Sequence, residues 1–112
     1  MAARLTAEFW VAAYLARLRL ADIPAFLVKR GDAGAGAVLV KVSTLDGLAR
    51  AYGRGFDPAS GEAGWQLLAD GAEAAVDQAL ARQRGYDPDL WVIEVEDRAG
   101  RSLLDQPGLK DA

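Results

Sequence analysis

The chain contains neither cysteine nor histidine. Without cysteine there are no disulfides and no thiolate metal sites. Without histidine it lacks the commonest general base near neutral pH and the commonest zinc ligand. Its three serines, Ser43, Ser60 and Ser102, have no histidine to activate them and no Ser-x-x-Lys arrangement. No apolar run approaches the roughly 18 to 20 residues that span a bilayer. The opening "MAARLTAEFW" lacks the apolar core and cleavage site of a secretory leader. These absences predict a cytoplasmic protein without membrane contact.

A surplus of basic charge is also missing. Sixteen Asp and Glu outweigh thirteen Lys and Arg, which makes nucleic acid an unlikely partner for the domain as a whole. What is present is a supply of apolar side chains, 52% of the chain, with Trp10, Trp65 and Trp91 spread along it. A chain of 112 residues forms one domain, and about two-thirds of its unfolded surface is buried at that size. Residues 1–105 read as that domain and 106–112 as a flexible tail.

Thr6 caps a helix predicted from Ala7 to Ala21. Leu5, Phe9, Ala12, Ala16 and Leu20 fall on one face, and Trp10, Val11, Tyr14, Leu15 and Leu18 fill most of the rest. A helix apolar nearly all round is covered on more than one side. Either its own domain wraps it, or Trp10, Tyr14 and Leu18 meet a second subunit in a homodimer.

Ile23-Pro24 ends the helix. "AFLVKR" and "AVLVKVS" then read as strands joined by the glycine-rich Gly31–Gly36. That run has neither the Gly-Lys-Ser/Thr ending of a phosphate loop nor the order of a dinucleotide fingerprint, and it leads into a strand rather than a helix. It reads as a hairpin turn. Asp46-Gly47 favours a two-residue hairpin that pairs Leu45 with Leu48, Ser43 with Arg50 and Lys41 with Tyr52. The third strand then runs from Leu48 to Gly53, followed by a long loop, Gly53–Gly64. "GWQLLAD" is a fourth strand. Asp70 and Glu73 resemble a capping box for a helix over Gly71–Arg84, closed by Gly85. "LWVIEVED" closes the fold as a fifth strand.

The fold class is therefore α+β: an N-terminal helix, an antiparallel meander of three to four strands, a second helix and a closing strand. The second helix is expected on the face carrying Phe26, Val28, Val38, Val40 and Val42. The opposite face then gathers Lys29, Lys41, Arg50, Tyr52 and Arg54, a candidate anion-binding surface. Glu94 and Glu96 of the last strand are expected among these cations, which makes the face a solvated, partly paired one. Asp87, Asp89 and Glu94 are an alternative magnesium or manganese set, although the lysine expected in such a motif is replaced by Glu96.

Three stretches, "FWVAAYL", "VKRGDAGAGAVLVKV" and "RQRGYDPDLWVIEVEDR", occur together in this order. They resemble domain of unknown function family 1491, small bacterial proteins best known from alphaproteobacteria. The resemblance runs to about Asp105. It implies a single-domain cytoplasmic protein and carries over no catalytic or binding residues and no cofactor. Two functions remain open on the residues: a non-catalytic module that binds an unknown protein partner and self-associates, or a small carboxylate-based metal enzyme acting on a phosphate-containing substrate.

Overall fold

A computed structural model describes residues 5–56 and 58–110. The element order is α1 (Ala7–Leu20), β1 (Ala25–Lys29), β2 (Val38–Ser43), β3 (Leu48–Phe56), β4 (Ala63–Ala72), α2 (Glu73–Tyr86) and β5 (Trp91–Glu96). The α+β class and the helix–strands–helix–strand order match the sequence. The loop between β3 and β4 is shorter than the expected Gly53–Gly64, because both strands extend into it; Asp57 lies outside the described residues.

The sheet is mixed, not a meander, with the order β1-β5-β2-β3-β4. β5 inserts between the two strands expected to form the first hairpin, antiparallel to β1 and parallel to β2. The physical reason lies in the apolar runs of β2 and β5. Every residue of β2 is buried, as are four of six in β5, the pattern of strands covered on both faces. The half-exposed β1 takes the edge.

Gly31–Gly36 is consequently a crossover that passes over the start of β5, not a hairpin turn. The Asp32 amide donates to the Asp89 carbonyl at 2.8 Å, and the Trp91 indole donates to the Asp32 carbonyl at 2.8 Å. A Cβ on Gly31 or Gly36 would come within 2.2 or 2.4 Å of the Asp89 carbonyl oxygen. The loop also returns to the first helix. The amides of Ala7 and Glu8 donate to the carbonyls of Gly34 and Ala33, and that of Phe9 to the Thr6 hydroxyl. The first free N–H groups of α1 are therefore satisfied internally, so this glycine run builds no anion site there.

α1 packs on Val38, Val40, Val42, Trp91, Ile93 and Val95, through Trp10, Val11, Tyr14 and Leu18. Leu5, Phe9 and Leu20, which share the other face of the helix, are 52%, 61% and 85% exposed. The periodicity of a helix apolar all round does not choose a face, so side-chain size decides. Trp10 stacks on Tyr14 at 4.9 Å and meets Trp65 at 5.2 Å, and these rings bury more apolar surface than Ala12 and Ala16 would.

α2 lies on the other side of the sheet, against Leu39, Ala49, Ala51 and Val92. This corrects its expected seat on the valines, which α1 occupies. The helix also starts later than expected. β4 continues to Ala72, Asp70 is a strand residue opposite Arg50, and no side chain caps the helix. Gly85 lies within it, and Asp87 is its C-cap.

The expected tail is packed as far as the described residues go. Leu104 and Leu109 are buried with α1. Arg17, Trp65 and Arg54 donate to the carbonyls of Pro107, Leu109 and Lys110.

Candidate functional site

The β2–β3 turn decides which charged groups meet. Thr44 donates its amide to the Leu48 carbonyl at 3.1 Å, so three residues, Leu45, Asp46 and Gly47, form the loop. Leu45 and Gly47 adopt positive φ of 64° and 89°, and the Asp46 carboxylate accepts from the Thr44 hydroxyl and the Leu48 amide. Lys41 then pairs with Ala51, and Val40 with Tyr52. That is one residue away from the expected register, and a one-residue slip moves every side chain of β3 to the other face.

The five-residue basic face is therefore dispersed. Lys41 is on the α2 side. Arg50, Tyr52 and Arg54 are on the α1 side, in register with Val42, Val40 and Trp65. Arg50 pairs with Asp70 at 3.5 Å, Tyr52 packs against the α1 core, and the Arg54 guanidinium lies 5.4 Å from the Trp65 ring centroid. Lys29 sits past a register shift in β1 and donates to the carbonyls of Pro88 and Leu90 at 2.7 and 3.0 Å. Trp10, Tyr14 and Leu18, the expected subunit contact, are buried in the core of one chain.

The expectation that Glu94 lies beside Lys41 holds, since the parallel β2–β5 register sets them opposite each other. Their setting is not a solvated face, however. The Lys41 side chain is only 6% exposed, and its ammonium contacts Glu73 at 2.8 Å, Asp77 at 2.7 Å and Glu94 at 2.7 Å. α2 supplies Glu73 and Asp77 four residues apart, one helical turn above the strand. The three N–H donors of an ammonium match three carboxylates. Burial alone would lower the Lys41 pKa, but its carboxylate partners override that and hold it above the ordinary lysine range. Lys41 is thus a protonated structural cation and not a nucleophile, which would need a free lone pair.

In the sequence Glu73 reads only as a capping-box residue, and Asp77 has no assigned role. The available signal was Lys41 itself, a lysine inside the continuous run "VLVKV", because a buried charge requires partners.

The three acids around one ammonium leave two negative charges in excess. Clefts open on either side of this cluster. One, of about 250 Å³, is walled by Val28, Leu80, Ala81, Val92 and Arg84. The other, of about 310 Å³, is bounded by Ser43, Leu45, Glu73, Glu94 and Glu96.

The alternative metal set is not assembled. The Asp87 carboxylate accepts from the Asp89 amide at the helix exit, while Glu94 holds Lys41. Among the described residues, no group of three or more carboxylates is arranged to take a metal ion. Among them, too, no helix is long and apolar enough to cross a membrane.

Residues 5–105 match the family model described as a protein of unknown function, DUF1491. No curated protein matches. A crystal structure of a DUF1491 family protein from Caulobacter crescentus is 38% identical with a TM-score of 0.79, covering 92% of this chain and 95% of that one. An NMR structure of a DUF1491 family protein from the same organism is also 38% identical, at a TM-score of 0.80, with 95% and 97% covered. The solution structure of protein Atu0922 from A. tumefaciens is 29% identical at a TM-score of 0.70, with 84% and 86% covered. The match extends over nearly the whole chain and rests on sequence and fold together: this chain belongs to the DUF1491 family.

Proposed function

We propose that the protein is a non-catalytic, cytoplasmic interaction module that binds another protein through the free edge of β1. One observation carries this reading. β1 is an edge strand whose Phe26, Leu27 and Val28 are 51%, 41% and 51% exposed. An open strand edge with apolar side chains on both faces is a template for strand addition, the physics that many peptide-binding domains use. The state of Lys41 supports it. This buried cation is saturated by carboxylates and serves to fasten α2 to the sheet.

A thermal-shift panel with magnesium, manganese, nucleotides and phosphate esters tests the reading against the metal-enzyme alternative. The expected result is no ligand-specific rise. A metal-dependent rise abolished by Asp89→Ala would instead favour the enzyme.

A further inference from the structure

We infer that the β1 edge takes an extended segment of a partner protein as a sixth strand, and that this segment carries a lysine or arginine whose cation ends at Glu96. This deepens the interaction-module reading and rests on it. The Pro24 carbonyl accepts from the Glu96 amide at 2.9 Å, which makes Pro24–Glu96 a hydrogen-bonded pair of the antiparallel β1–β5 ladder. By the alternation of such ladders, Phe26–Glu94 is the next bonded pair, and the N–H and C=O groups of Ala25 and Leu27 point away from β5. No backbone bond from another described element reaches these groups. They form a short, open row of donors and acceptors.

Charge complementarity identifies the occupant. Glu96 projects on the α2 side opposite Pro24, is half-buried, and has no ion-pair partner among the described residues. Beside it, Glu73, Asp77 and Glu94 share the single ammonium of Lys41. Among the nearby cations, Arg98 is exposed and acts on Asp46 of the β2–β3 turn, and Arg101 pairs with Asp97 at 2.9 Å. Lys29 is held by backbone carbonyls, and Arg30 pairs with Glu8 at 3.0 Å and lies over the Trp91 ring. Arg84 borders the other cleft, at the far end of α2.

An added strand runs ~4.8 Å from β1 and so about two strand spacings from β5. A long basic side chain facing Pro24 spans that distance, while apolar neighbours lie beside Phe26 and Val28. A second copy of this chain fits less well. Paired antiparallel about Phe26, it would set its own Val28 opposite Pro24 and leave Glu96 unmatched.

The test uses the full isotope-labelled chain and two short synthetic valine-rich strands, one with a single lysine near its end (valine–lysine) and one with glutamate in its place (valine–glutamate). The valine–lysine peptide is expected to shift the amides of Ala25–Val28 and Glu94–Glu96 and to slow hydrogen exchange at Ala25 and Leu27. The valine–glutamate peptide should bind about five- to tenfold more weakly, the size of effect expected for a rim charge pair reversed in sign. Glu96→Lys, at a partly exposed position, should invert that preference, and added salt should weaken the valine–lysine complex. Equal affinity for both peptides, shifts centred away from β1, or no binding by either would overturn the inference. So would concentration-dependent shifts at β1 without peptide, which would make a second copy the occupant. A photo-crosslinker at Leu27 is insensitive to charge, so a specific adduct there alongside indifferent peptides would retain the module and remove only the cation.

Discussion

Replacing Lys41 with methionine keeps the apolar stem of the side chain and removes its charged tip, and the structure sets the size of the effect. The ammonium makes three contacts of 2.7–2.8 Å from a side chain only 6% exposed. Breaking a buried ion pair by removing one partner costs roughly 3–5 kcal/mol, because the other partner is left uncompensated. Here the carboxylates left behind are partly wet, with side-chain exposures of 39% for Glu73, 55% for Asp77 and 30% for Glu94. Rehydration places the expected loss at the lower end, about 3 kcal/mol. For a domain of this size that lowers Tm by about 13 °C, from an unfolding entropy of roughly 2 cal/mol/K per residue. Urea titrations followed by far-UV circular dichroism and tryptophan fluorescence measure it, with an unchanged m-value showing that the folded state is retained. Adding Glu94→Gln to Lys41→Met should recover part of the loss, since Glu94 is the least hydrated of the three acids. A Lys41→Met protein within about 1 kcal/mol of wild type, or more stable, would refute the reasoning. Desolvation of the ammonium would then outweigh its contacts, as in other buried ion clusters.

Gly36→Ala should destabilise by about 1–3 kcal/mol, because its Cβ would press on the Asp89 carbonyl at 2.4 Å and the chain must move aside; Gly34→Ala in the same loop, with only the Asp32 carboxylate 3.6 Å away, is the near-neutral control. Leu109→Ala should cost about 2–4 kcal/mol as a buried large-to-small change, whereas a free tail would show no change in the same denaturation curve. Stability should fall as pH rises above about 10, where the unfolded chain loses the lysine and tyrosine protons. The folded protein keeps them, because the carboxylates raise the Lys41 pKa and burial raises that of Tyr14. Since the folded state then binds more protons, the slope is negative and reaches at most about 2.7 kcal/mol per pH unit for the two groups. Lys41→Met and Tyr14→Phe should each remove half of it, and a flat profile from pH 10 to about 12 would contradict the assignment.

The element types were legible in the sequence, because each rests on local chemistry. Thr6 caps α1 through its hydroxyl as expected, and the apolar runs of β2 and β5 are strands. Pairing was less legible, because it is non-local. Adjacency along the chain suggested a hairpin between β1 and β2, whereas the apolar runs "VLVKV" and "WVIEV" pair as neighbouring strands inside the sheet. The turn signal at Asp46-Gly47 located the hairpin correctly. The loop is one residue longer than the two-residue type, and that single residue moved Arg50, Tyr52 and Arg54 to the other side of the sheet. The candidate site suffered most from this, since its charged groups come from four elements whose faces depend on register. Lys41 and Glu94 were associated correctly because the period of two fixes both relative to Val40 and Ile93. Glu73 and Asp77 were missed because α2 was assigned to the wrong face.

Site-specific photo-crosslinking in bacterial cells tests the central claim most directly. A photoreactive residue is placed at Leu27, on the open edge, and in a control chain at Arg82, exposed on α2. Mass spectrometry then identifies the attached segment. The edge-docking account predicts a discrete adduct at position 27 with an extended segment of another protein, absent at position 82 and lost in a Phe26→Asp background. Indistinguishable adducts at the two positions, or none at position 27, would contradict it.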